Sequence, residues 1–274
     1  MPVKTKKWLG ILLCPVLLLV LLAGILLAIR LPAAPPDTLP ETQTTVAETL
    51  GALPPNPFGA EDFRYVDGFL TGPDGTCIPG IDVSSHQESV DWQQVKAAGM
   101  EFVMIRLAYR GSIEGALIPD EMAQDHYRGA KEAGLLVGGY IFTQSVSPDE
   151  GVEDAQYVLE LSRDWVLDLP LVYDWELIDE RYRNGNVDRQ TLTDTMLSFC
   201  QTVEASGKEA MIYFNITNTR NNFYLGKVSD YDFWLASYSD KLDFPYRVDM
   251  WQYTNCGRVP GIEGDVDINL YFPK

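Results

Sequence analysis

The sequence predicts an α/β fold: an irregular (β/α) barrel with about eight strands and five helices, preceded by a transmembrane helix and a disordered linker. Three observations predict it. Eight β-rich runs recur between residue 80 and the carboxyl terminus. Helix-like segments separate the first five of them, the alternation that builds parallel sheets. The first 62 residues have a composition that supplies a membrane span and a linker but no globular core. Eight strands suggest closure; an open doubly wound sheet is the structural alternative.

Residues 1–30 form a separate unit. "MPVKTKK" carries Lys4, Lys6 and Lys7, and Trp8 to Ile29 is then 22 residues without a charge, ending at Arg30. About 20 apolar residues span a bilayer, whereas a cleavable signal has a shorter apolar region and a small-x-small site. Pro35 and Pro36 follow the nearest small pair, Ala33-Ala34. An uncleaved signal anchor is therefore expected, with a cleaved signal as the alternative. The lysines precede the span, so the amino terminus is expected in the cytoplasm and the remainder outside. Cys14 follows "ILL", not the small residue a lipoprotein site wants, and reads as a membrane residue.

Residues 31–62 are rich in Pro, Thr, Ala and Glu and read as an extended linker. Residues 63–274 suffice for one substantial core. All 39 acidic residues lie after residue 30, with 17 of the 21 basic ones, which leaves that part of the chain at −22. Nucleic-acid binding wants a basic stripe and is excluded; an acidic, soluble surface accounts for the charge. Cys77, Cys200 and Cys256 are an odd number outside the span, so disulfides do not hold this fold.

The strands are expected in "GIDVSS" near residue 80, "EFVMIRLAY" (101–109), "LLVGGYIFT" (135–143), "LVYDWE" (171–176), "AMIYFN" (210–215), "DFWLASY" (232–238), "VDMWQYT" (248–254) and "VDINLYF" (266–272). "DWQQVKAAG" and "DEMAQDHYRGAKEAG" each read as a helix with a glycine stop. "SPDEGVEDAQYVLELSRDW" opens with Ser147 as N-cap, proline next and acids in the first turn. "DRQTLTDTMLSFCQTVEASG" places Leu192, Met196 and Phe199 at helical spacing. A shorter helix is expected near 218–226. The last three strands are separated by short turn-like stretches, so the final third of the barrel lacks regular helices.

The chemistry concentrates in "PLVYDWELID". In a strand, Asp174 and Glu176 point to one face with Cα atoms roughly 6.5 Å apart. Like charges that close raise at least one pKa, which is costly for stability and useful for acid chemistry. Asp82 lies on the first strand and Asp267 on the eighth, and closure puts those strands side by side. Four carboxylates are thus expected to converge at the carboxyl ends of strands, where barrel enzymes keep their sites. Arg106, Tyr109, Tyr140, Tyr213, Trp234, Tyr238, Trp251 and Gln252 sit at corresponding positions. Aromatic faces beside acids suit a carbohydrate, and Trp175 is expected to face the outer helices. No G-x-G-x-x-G follows a strand, which argues against a nucleotide site.

"GIDVSSHQ…VDW", "FVMIRLAYRG", "GGYIFTQS", "LVYDWE", "IYFN", "FWLASY" and "WQYTNCGRVPGIEGDVDIN", in this order, resemble glycoside hydrolase family 25, the muramidases (lysozymes). The resemblance covers about Pro79 to Phe272. It implies an irregular barrel of eight strands and five helices, and hydrolysis of the β-1,4 bond between N-acetylmuramic acid and N-acetylglucosamine in peptidoglycan. It implies Glu176 as general acid, Asp174 as its partner, and Asp82 and Asp267 as further active-site acids, with no cofactor. The chain departs from the family pattern at Trp175 and Leu177. The second catalytic role stays open: Asp174 either attacks the sugar or orients the substrate's own acetamido group. Other readings are carboxylates holding Mg²⁺ or Ca²⁺, a non-catalytic glycan-binding module, and hydrolysis of another N-acetylated glycan such as chitin. His86 and His126 are the only histidines, which argues against a histidine-based zinc site.

Overall fold

The computed structural model describes residues 53–59, 61–73, 75–216 and 222–274. The anchor expected over 1–30 and residues 31–52 of the linker lie outside them. No helix among the described residues is long and apolar enough to cross a membrane.

The chain packs from Leu53 onward, ahead of the expected boundary at Phe63. Leu53 is buried, and Pro55 bridges Tyr246. Asn56 Nδ2 donates to the carbonyls of Leu242 and Phe244, both at 3.0 Å. Phe58 meets Phe63 edge-on and Phe272 at a tilt, with ring centres 5.4 and 4.8 Å apart. A hairpin follows, β1 (Arg64–Val66) and β2 (Phe69–Thr71). Its two-residue turn, Asp67-Gly68, has both φ angles positive, which matches the twist of the flanking strands.

The eight expected strands all form. They are β3 (Ile78–Val83), β4 (Phe102–Arg110), β6 (Leu136–Thr143), β7 (Leu171–Trp175), β8 (Ala210–Asn215), β9 (Asp232–Ala236), β10 (Met250–Gly257) and β11 (Val266–Tyr271). A short β5 (Leu117–Pro119) pairs with the end of β4. The order β3-β11-β10-β9-β8-β7-β6-β4 closes through a β3–β4 pairing, so the doubly wound alternative falls. Seven of these strands run in one direction; β11 alone is reversed, antiparallel to both of its neighbours, β10 and β3. The β10–β11 connection is short (258–265), and parallel strands need a crossover of a dozen or more residues.

Among the described residues there are four α-helices: α1 (Trp92–Ala97), α2 (Ala123–Glu132), α3 (Pro148–Leu161) and α4 (Arg189–Ala205). Ser147 caps α3 by accepting from the Glu150 N–H, with Pro148 in the first turn. Asp188 caps α4, satisfying amide groups that the helix leaves open. The fifth helix, expected near 218–226, falls partly on 217–221, outside the described residues; a 3₁₀ turn covers Leu225–Val228.

Period-2 alternation divides the core in two. Phe102, Met104, Tyr140, Val172, Met211, Trp234 and Met250 fill the barrel. Ile81, Val103, Ile105, Val137, Tyr173, Ile212 and Phe214 face outward, and with Phe199 of α4 they build the layer under the helices. Gly80 is required at one inward position, because a Cβ there would come within 2.3 Å of the Phe102 ring. Cys77, Cys200 and Cys256 are free thiols.

Candidate active site

Alternation places the acids at one rim. On β7, Tyr173 and Trp175 belong to the outward layer, and Trp175 Nε1 donates to the Ser145 carbonyl at 3.1 Å. Asp174 and Glu176 therefore take the inward face. Asp82 is inward on β3, and Asp267 is its direct register partner on β11. The reversal of β11 matters here. Asp267 is the second residue of its strand, so in a parallel strand it would stand at the opposite rim.

The four carboxyls are not equivalent. Asp82 Oδ2 accepts from Gln252 Nε2 at 2.9 Å and Asn269 Nδ2 at 2.8 Å. Burial nevertheless outweighs these bonds and pushes Asp82 up to about 6. Burial, then the charge of Asp82, pushes Asp267 to about 8. Asp174 is buried, and its Oδ1 accepts no hydrogen bond from the described residues. Burial, then the charges of Glu176 and Asp82, hold it well above the usual carboxylate range, with Arg106 pulling the other way. Glu176 is also raised, first by burial; Asn215 Nδ2, 3.4 Å from Oε2, opposes this, and Asp267 adds to it. All four are shifted toward the protonated form, and Asp267 holds its proton at pH values where a free carboxyl is ionised.

Arg106 supplies positive charge beside them. Its Nε donates to Asp120 Oδ2 at 2.8 Å and its Nη2 to Ser85 Oγ at 3.1 Å. Asp120 also accepts from the Ser85 and Met122 amides, so the guanidinium is aimed by a fixed carboxylate. Arg106 and Tyr109 are three residues apart and would face opposite ways on a regular strand. A register shift between Arg106 and Ala108 intervenes: Arg106 pairs with Tyr140, but Tyr109 pairs with Phe142. This bulge returns Tyr109 to the inward parity, with the Arg106 guanidinium 5.5 Å from its ring centre.

The other expected residues separate into three groups. Tyr213 and Tyr238 both direct hydroxyls to Gln252 Oε1, at 3.3 and 3.2 Å. Gln252 thereby links two tyrosines to Asp82, and Tyr238 is 55% exposed at the mouth. Tyr140 and Trp234 lie deeper, edge-to-face at 5.9 Å. Trp234 is 1% exposed, with its Nε1 on Asn269 Oδ1 at 2.9 Å, so it forms the floor and offers no open face. Trp251 is not in the site. It is fully buried on the outer side against Phe63 and Tyr253, as alternation demands once Gln252 points inward.

Sequence reasoning passed over Asn215, Asn269, Ser85 and Asp120. Asn215 closes "IYFN" at the end of β8, and Asn269 lies two residues after Asp267 on the same face; the i, i+2 rule applied to Asp267 would have found the latter. Among the described residues, no group of three or more His, Cys, Asp or Glu side chains is arranged to hold a metal ion.

A family model described as "Glycosyl hydrolases family 25" matches residues 81–262. Lysozyme M1 of Streptomyces globisporus is 29% identical over 261 residues, covering 83% of this chain and 85% of that protein. The uncharacterized protein YegX of Escherichia coli K12 is 30% identical over 216 residues, covering 76% of this chain and 75% of YegX. The crystal structure of the bacterial lysozyme from Streptomyces coelicolor superposes with a TM-score of 0.60 at 28% identity, covering 72% of this chain and 93% of that one. The matched span runs from β3 through the β10–β11 turn and includes three of the four rim acids, and on that match the chain belongs to glycosyl hydrolases family 25 and is a glycosidase.

Proposed function

We propose that the chain is a muramidase that cleaves the β-1,4 bond between N-acetylmuramic acid and N-acetylglucosamine in peptidoglycan. The observation that carries this reading is the pair Asp174–Glu176, inward on one strand end and raised by burial. Glycosidases need one carboxyl protonated to release the leaving oxygen. Glu176, at the mouth and half-buried, is the general acid. Burial raises its pKa above that of a free carboxyl, the direction a general acid needs.

Asp174 stands behind it on the same side of the sugar. A direct nucleophile would have to reach the opposite face, so the i, i+2 spacing favours a substrate-assisted route. The substrate's acetamido oxygen attacks the anomeric carbon as the glycosidic bond breaks and Glu176 protonates the leaving oxygen. Asp174 orients the acetamido N–H and stabilises the cationic intermediate, which water then opens. Asp82, Asp267 and the tyrosines at the mouth line the cleft.

Purified peptidoglycan digested with the protein, followed by mass spectrometry of the products, tests the reading. New reducing N-acetylmuramic acid ends are expected. Reducing N-acetylglucosamine ends, release from chitin alone, or binding without release would overturn it.

We further propose that residues 8–29 anchor the protein with the catalytic domain outside the cytoplasm, a length and charge argument. The mature protein should then fractionate with membranes and retain its amino-terminal peptide. A main species that is soluble and begins near Ala34 or Pro35 would instead show a cleaved signal.

A further inference from the structure

We propose that Gln144 and Asn184 are positioning residues for Glu176: they grip its main-chain carbonyl from two sides and so aim its carboxyl into the cleft. The inference rests on the reading of Glu176 as general acid.

The sheet stops holding the chain just before this residue. The last register pair between β6 and β7 is Thr143 with Trp175, and Glu176 is the next residue. Two side-chain amides take over there. Gln144 Nε2 donates to the Glu176 carbonyl at 2.9 Å, and Asn184 Nδ2 donates to the same oxygen at 3.0 Å. Gln144 and Asn184 are both buried, at 0% and 1% exposure.

These bonds close into a ring. Arg183, next to Asn184, donates through Nη1 to the Gln144 carbonyl at 3.0 Å. Its guanidinium also pairs with Glu150 in the first turn of α3, and its main-chain N–H donates to the Ser112 carbonyl at 3.2 Å. The segment after β7 is therefore fastened to α3 and to the β4–β5 turn, and through them to Glu176. The amide oxygens Gln144 Oε1 and Asn184 Oδ1 accept nothing from the described residues. Their donors alone fix both orientations, because flipping either amide would set oxygen against oxygen.

Main-chain control suits this residue. Its carboxyl receives a long contact, 3.4 Å from Asn215 Nδ2, so the direction of the Cα–Cβ bond sets where the proton is delivered. A displacement of about 1 Å in a catalytic group costs on the order of 100-fold in rate.

Asn184→Leu and Gln144→Met keep side-chain volume and remove the N–H donors. In the full chain acting on soluble peptidoglycan fragments, each should lower kcat about 10-fold, with KM within about twofold. The basic limb of the kcat–pH profile should move, because Glu176 sits differently among its neighbours. Should the Leu variant fail to fold, the Met variant reads the same carbonyl from the other side. Unchanged kcat and pH limb, or a loss confined to KM or thermal stability, would overturn the proposal. Glu176→Gln, run in parallel, separates the two readings. If it is inactive while both amide variants keep full kcat, positioning alone fails; if it stays active, the general-acid reading fails and the proposal with it.

Discussion

Glu176 and Asp174 share a strand face but carry different burdens, and paired amide substitutions should expose the difference. Glu176→Gln preserves shape and cannot donate a proton, so folding and substrate binding should persist while turnover falls by at least about 100-fold. Retention of more than about a tenth of normal activity would remove Glu176 from the acid role. Asp174→Asn can still orient an acetamido group by hydrogen bonding but loses the charge that stabilises the cation. It should be slow yet more active than Glu176→Gln. Reaction with a slow fluorosugar substrate decides between the two roles of Asp174: mass spectrometry should find no adduct there, and an ester mapped to Asp174 would make it the nucleophile. Anomeric configuration is uninformative, since both routes invert twice.

At the scale of the element, period-2 alternation was the most legible signal. The β-rich runs marked all eight barrel strands, and alternation turned Trp175 outward and set Asp174 beside Glu176. Its failures have physical causes. Arg106 and Tyr109 share a face only because of a bulge, and a bulge adds one residue with no compositional mark. Trp251 and Gln252 are adjacent, so only one of the two expected residues could face the site: Gln252 does, and Trp251 packs outside. The direction of β11 was not legible from its own residues. It is fixed by the short connection that follows β10, and that reversal brings Asp267 to Asp82. The amide ring around the Glu176 carbonyl was invisible for a further reason: Gln144, Arg183 and Asn184 lie in segments without periodicity, and their roles depend on main-chain oxygens that sequence patterns do not locate.

For the whole molecule, the acidic site should write itself into the stability of the fold. Burial, then the charge of Asp82, raises Asp267 from 3.8 to about 8, and burial raises Asp82 to about 6. Between about pH 4 and pH 8 the folded protein therefore binds more protons at these groups than the unfolded chain does. Stability falls with rising pH wherever the native state holds the extra protons. The site's contribution is complete below pH 4 and is lost as pH climbs through the folded-state values. The surplus of acidic residues over the rest of the chain adds repulsion in the same direction, so a melting curve of the native sequence alone does not isolate the site. Asp267→Asn does, because the amide stays neutral at every pH. Its melting temperature should match that of the native protein near pH 4 and exceed it by a few degrees near pH 8, at roughly 2–4 °C per kcal/mol for a domain of this size. Calorimetry of both proteins at constant ionic strength measures the gap. A gap of the same size at both pH values, or a less stable variant at pH 8, would mean that Asp267 does not hold its proton in the folded state.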